Sequence, residues 1–337
     1  MRQSVGFLAV FLYLKIACLN LVASSDRLKL SWPTPNQAFV NGLGYHAFLQ
    51  KTGPGKDFSS GAFGCVRNNG NKFHEGIDLS PLKSSSSGKA EDHVYAAMDG
   101  IVKYVNLNAS SSAYGKYIVI EHEKFSPTLY TLYGHLEAVS FGLKSGSAVK
   151  VAQQIGLMGN TASYKIPLNR SHLHFELGIR LSDQFSNWYN RQMFKTKNDH
   201  GNFNGYNLAG IDPLLFYSSF QKDRFNHPAE YLESLPVILK ILVPYQRVPD
   251  LLRRNPSLSS TYSNNGNYKG WECWIGPYGI PLKFEASTTV PSNNSLRIIE
   301  YNEKHDGNNC RKLIVKKNGR LQPSELLKTY LEIIFVE

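Results

Sequence analysis

Beyond its first two dozen residues, this 337-residue chain has no apolar run near the roughly 20 residues a bilayer-spanning helix needs, so a soluble body is expected. No repeat of fixed period is visible either, so no array of small units is expected. Acidic residues are in deficit, 26 against 37 Lys and Arg, for a net charge of +11. That balance favours a polyanionic neighbour: nucleic acid, acidic lipid or an anionic wall polymer. Charged residues are only 19% and apolar residues 42%, which excludes wholesale disorder and allows sizeable cores. Cysteine is scarce, at four residues.

The N-terminus bears on compartment. Arg2 precedes an apolar run at residues 5–14, and residues 16–22 are mostly apolar after Lys15. Val22-Ala23-Ser24-Ser25 offers small residues for cleavage, so residues 1–24 read as a secretory signal. Lys15 disfavours both an uncleaved anchor and, three residues before Cys18, a lipoprotein signal. The expected location is therefore exported: the periplasm, the cell envelope or the medium. After cleavage Cys65, Cys273 and Cys310 remain, an odd number that allows one internal disulfide. Proximity in sequence pairs Cys273 with Cys310 by default and leaves Cys65 as a small buried residue.

From residue 94 to 181 the chain breaks into short β-branched and aromatic runs bounded mostly by Gly, Ser, Asn or Pro. Residues 100–105, 117–122, 129–133, 148–151 and 172–177 are examples, and this spacing predicts a mainly β, antiparallel fold. Residues 212–217 read as its closing edge. Residues 228–243 fit either helical spacing or a buried strand pair. Residues 271–337 read as strands with a short helix at 323–330, a second, β-rich domain. The expected division is a signal at 1–24, a lead segment at 25–62, a first domain at 63–218 and a C-terminal domain at 219–337. Trp271, Trp274, Tyr278 and Phe284 there form either an aromatic platform or a small core, and at least two are expected to be core.

Of ten histidines, His46, His93, His200, His227 and His305 are isolated and need no special role. Three places differ. In His74-Glu-Gly-Ile-Asp78, residues four apart lie roughly 13 Å apart in an extended chain, too far to share a metal. Gly76 permits a turn that brings imidazole and carboxylate together. In His172-Leu-His174 the strand period puts both imidazoles on one face and Leu173 and Phe175 on the other. His135 ends another strand-like run and gains weight only if it converges on these. Two or three imidazoles with one carboxylate match a catalytic zinc that keeps one position open. No cysteine adjoins these residues in sequence, which argues against a thiolate site.

Six motifs then occur in a recognisable order: His74-Glu-Gly-Ile-Asp78-Leu-Ser-Pro81, Val94-Tyr-Ala-Ala-Met-Asp-Gly100, Tyr114-Gly-Lys-Tyr-Ile-Val-Ile-Glu-His122, Tyr133-Gly-His135-Leu, Ile155-Gly-Leu-Met-Gly159 and His172-Leu-His174-Phe-Glu. Over residues 63–216 the chain resembles the lysostaphin-type zinc endopeptidases. The resemblance implies an antiparallel β fold with a groove, one zinc per chain, and hydrolysis of the peptide crosslinks of bacterial peptidoglycan. It implies His74, Asp78 and His174 as zinc ligands, and a zinc-activated water as nucleophile with His135 and His172 as the catalytic histidines. Residues 160–171 depart from the family's short Gly- and Ser-rich turn: the segment is longer, lacks glycine and carries Tyr164, Lys165, Pro167 and Arg170. A non-catalytic relative that binds wall peptides or activates another hydrolase is the alternative, and loss of ligands is its signature. A nucleic-acid partner is not expected, because no basic cluster interleaves with aromatics.

Overall fold

The computed structural model describes residues 27–52, 57–263, 266, 268–289, 295–306 and 310–336; the signal expected at 1–24, and Cys18, lie outside them. The fold is mainly β, with every strand pair antiparallel. No helix among the described residues is long and apolar enough to cross a membrane.

The main sheet has seven strands. Leu173–Arg180 is central. Leu129–Gly134, Tyr117–His122, Gly100–Asn106 and Ala148–Val149 follow on one side of it. Its other edge is shared: Leu208–Ile211 pairs with residues 177–180, and Ile77–Leu79 with residues 173–175. The runs expected as strands are all here, because β-branched and aromatic side chains fill both faces of a sheet that is covered on both sides. Leu173, Phe175, Leu177 and Ile179 enter the main core. The opposite face carries His174, Glu176 and Arg180 beside a smaller cluster that includes Tyr117, Val119, Tyr130 and Leu132.

The lead segment packs onto the same core through Leu28, Trp32, Phe48 and Leu49. The Trp32 ring stacks on Phe39 at 4.7 Å and meets Tyr217 edge-on at 5.0 Å. Leu49 bridges to Leu79, and the Gln50 amide donates to the Asp78 carbonyl at 2.8 Å, so this segment buttresses the strand that carries Asp78.

The closing edge is not at residues 212–217 but at Leu208–Ile211. Asp212 instead caps the helix Pro213–Gln221, its carboxylate accepting from the Leu214 and Leu215 amides, with proline in the first turn. Residues 228–243 resolve into one element of each kind, the helix Pro228–Ser234 and then the strand Leu239–Val243. That strand lies within a four-stranded sheet ordered Pro281–Ser287, Gly270–Ile275, Leu239–Val243, Arg297–Tyr301. Trp271 and Phe284 are fully buried in it, as core. The hairpin Ile314–Lys317/Arg320–Pro323 leads into the helix Glu325–Ile334, capped by the Ser324 hydroxyl.

The disulfide joins Cys65 to Cys310, across 245 residues and with Cα atoms 5.8 Å apart, and not Cys273 to Cys310. Cys273 is the free thiol. It lies in the strand Gly270–Ile275 opposite Ile241 and Phe284 and is fully buried among them, so it cannot reach a turn such as that of Cys310. The C-terminal region is also held beside the main sheet by Arg254, which pairs with Asp183 at 3.0 Å and donates to the Arg180 carbonyl at 3.0 Å.

Candidate metal centre

The sheet register assembles the site. His174 stands opposite Asp78 on one neighbour and opposite Gly134, the residue before His135, on the other. His74 ends the strand Lys72–His74, and the chain then bends through Glu75 and Gly76 into Ile77–Leu79. Gly76 is needed there for space: a Cβ atom would stand 2.3 Å from the Phe175 carbonyl oxygen. His172 is set by a backbone bridge to Gly159, its amide donating to the Gly159 carbonyl at 3.0 Å. His135 has φ +59°, the left-handed region that non-glycine residues rarely occupy, and such residues gather at functional sites.

All five side chains predicted from sequence converge, and all are buried. His74 Nε2 lies 3.2 Å from both His174 Nδ1 and Asp78 Oδ1, and His174 Nδ1 is 3.0 Å from Asp78 Oδ1. Tetrahedral zinc bonds of about 2.0–2.1 Å hold ligand atoms roughly 3.3 Å apart, so the spacing of this donor set fits zinc. The outer ring nitrogens are engaged as metal-binding imidazoles require. His74 Nδ1 donates to the Ala62 carbonyl at 2.7 Å, and His174 Nε2 faces Glu176 Oε1 at 3.0 Å. Glu176 in turn accepts from the Tyr130 hydroxyl at 3.0 Å.

His135 and His172 form a second pair, ring centroids 4.7 Å apart. Each has Nδ1 on a carbonyl, Thr161 at 2.8 Å and Arg170 at 2.7 Å. This leaves both Nε2 atoms on the side of the centre, and His172 Nε2 is 3.7 Å from Asp78 Oδ1. His74, Asp78 and His174 form a group able to hold a metal ion; His135 and His172 are not in it.

Electrostatics follow burial and charge. Burial alone would raise the Asp78 carboxyl, but His74, His172 and the bonds from His174 outweigh it and hold it well below the usual carboxylate range. Burial opposes charge on His174 too, yet the hydrogen bonds to Asp78 and Glu176 raise it to about 9. Burial is the main cause that lowers His74, His135 and His172.

Sequence reasoning missed three neighbours. Arg67 Nη2 lies 2.5 Å from Asp78 Oδ2 and 2.9 Å from His74 Nε2. The Tyr114 ring covers His174 at 5.3 Å between centroids. Glu176 is two residues beyond His174 and so on its face, a signal the strand period already carried. Nothing in the Gly- and Asn-rich surroundings of Arg67 distinguishes it, and Tyr114 opens one of the six motifs but carried no assigned role. The loop departure at residues 160–171 borders the site. Arg170 there donates to the Lys51 carbonyl at 2.9 Å, and the Tyr164 hydroxyl is raised by burial while feeling the charges of Arg67 and Asp78.

Residues 72–187 match Peptidase family M23. No curated protein matches the chain. Among solved structures it is similar to the catalytic domain of the prophage-encoded M23 protein EnpA from Enterococcus faecalis, with 23% identity, 39% of this chain and 81% of that one covered, and a TM-score of 0.28. It is similar to the catalytic domain of the antimicrobial peptidase lysostaphin from Staphylococcus simulans, with 20% identity, 57% and 100% covered, and a TM-score of 0.32. It is also similar to Csd3 from Helicobacter pylori, with 29% identity, 39% and 30% covered, and a TM-score of 0.27. The region of residues 72–187, which carries the histidine motifs in order, thus matches Peptidase family M23.

Proposed function

We propose that this protein is an exported zinc metalloendopeptidase that hydrolyses peptide bonds in bacterial peptidoglycan. The observation that carries the reading is the convergence of His74, Asp78 and His174 within bonding distance of one ion, with two further imidazoles beside them. The chemistry that zinc supplies when bound is acidification of a water and polarisation of a carbonyl.

His74 Nε2, His174 Nδ1 and an Asp78 oxygen would hold the ion, while Ala62 and Glu176 keep the two rings in the matching tautomer and orientation. The carbonyls of Thr161 and Arg170 accept hydrogen bonds from the Nδ1–H groups of His135 and His172, which leaves Nε2 of each neutral ring as a base. One of the two receives the proton of the attacking water. That histidine, now an imidazolium, would hand the proton on to the leaving amine, and the other would stabilise the developing oxyanion only in its form protonated at Nε2.

Export is supported by the N-terminal pattern and by the Cys65–Cys310 disulfide, which persists in oxidising compartments. The net charge of +11 suits attraction to an anionic envelope. The test is digestion of purified peptidoglycan with the mature protein, followed by mass spectrometry of the soluble products. New amino termini at one peptide bond are expected, and none with His174→Ala. Products that lack new amino termini sink the peptidase reading.

A further inference from the structure

Beside the metal centre, on its Tyr114 side, a cavity of about 620 Å³ opens between the main sheet and the C-terminal region. Phe73, Glu75 and Tyr114 line one wall, and Arg311, Lys312 and Tyr330 the other. The cavity reaches the centre through two of its lining residues. Glu75 follows His74 in the chain, and Tyr114 is the residue whose ring lies against His174.

Arg311 is the unusual member. Its guanidinium stands 4.1 Å from the Phe73 ring centroid and 5.5 Å from that of Tyr330, and it donates to the Tyr330 hydroxyl. Among the described residues no carboxylate pairs with Arg311 or with Lys312, while Glu325 on the rim is taken by Lys328 at 2.7 Å. A guanidinium held by aromatic faces keeps its planar fork pre-organised for a carboxylate. The disulfide fixes this wall to the centre: Cys310 adjoins Arg311, and its partner Cys65 is two residues from Arg67, which binds Asp78.

We propose that this cavity is a substrate subsite in which Arg311 and Lys312 read a free carboxylate on the wall peptide. The C-terminal region thereby sets specificity for the activity proposed above, on which this inference rests. Glu75 gives the subsite a polarity, with peptide N–H groups toward the metal centre and the carboxylate toward Cys310.

The test uses the full, zinc-loaded chain and peptides released from peptidoglycan, in two forms: carboxylates free, and the same peptides amidated. The KM for the amidated form should be about tenfold higher, with kcat alike, the scale of one charged hydrogen bond. Arg311→Gln with Lys312→Gln should raise the KM of the free form to that level and leave the amidated form unchanged. Arg311→Lys, which keeps charge and loses the fork, should fall between. A merely structural role for Arg311 would move both substrates together. Equal KM values for the two forms on the native chain overturn the inference and leave the peptidase reading intact. If neither form is cleaved, the peptidase reading fails, and calorimetric binding of the two forms decides the subsite. Tenfold tighter binding of the free form, lost in the double variant, upholds it; equal or no binding overturns it.

Discussion

Arg67 grips Asp78 by one carboxylate oxygen, Oδ2 at 2.5 Å, while the other oxygen faces His74 and His174. The same guanidinium nitrogen is 2.9 Å from His74 Nε2, so a cation already shares the lone pairs that a metal would use. Arg67→Ala should therefore tighten zinc binding severalfold, by removing a like charge. It should also destabilise the metal-free chain by about 2 kcal/mol, because a buried carboxylate loses a partner. Chelator competition and urea melts measure the two effects. Weaker zinc binding in the variant would mean that Arg67 orients Asp78 more than it competes with the metal.

Within His172-Leu173-His174, ligand and catalyst should separate by metal content. The mature protein purified without chelator should carry about one zinc. His174→Ala should lose metal and activity together. His172→Ala and His135→Ala should keep the metal and slow turnover by roughly 10²-fold or more, the usual scale of a lost acid–base group. Elemental analysis beside a cleavage assay decides it, and a zinc-free His172→Ala would make His172 a ligand.

Glu176→Gln tests the support of the centre. Its carboxylate faces His174 Nε2 at 3.0 Å, and loss of such a partner weakens metal affinity by about 10–100-fold. Unchanged affinity would show that the Tyr114 and strand packing alone hold the ring.

His122 gives the fold a pH dependence remote from the metal. Burial lowers its imidazole to about 4, against the bond it makes to the Asp99 carbonyl and the nearby Asp99 charge; its other ring nitrogen meets the Thr131 hydroxyl at 2.9 Å. The unfolded chain binds its proton near pH 6.5, so stability from the neutral ring is full above that value and lost as pH falls toward 4. The loss amounts to about 3 kcal/mol. Denaturant melts between pH 7 and 4 should show this slope, and His122→Gln should flatten it.

The sheet was legible because its strands are apolar runs punctuated by turn residues, and the centre because two histidines at period two must share a face. The helix Pro213–Gln221 was less so: Asp212-Pro213 punctuates a strand and starts a helix equally well. Arg67 sits alone in a Gly- and Asn-rich stretch, and only the pairing of Gly64 with His74 brings it onto Asp78. The disulfide was misread because nearness along the chain stood in for nearness in space.

That disulfide also has a rival that must be kept from it. Cys65 precedes Cys310 by 245 residues, so the bond waits until nearly the whole chain is present. Cys273 emerges sooner and would be the first thiol to meet Cys65. In the folded chain the strand Gly270–Ile275 keeps Cys273 fully buried, so the C-terminal sheet guards the pairing of a bond in which it takes no part.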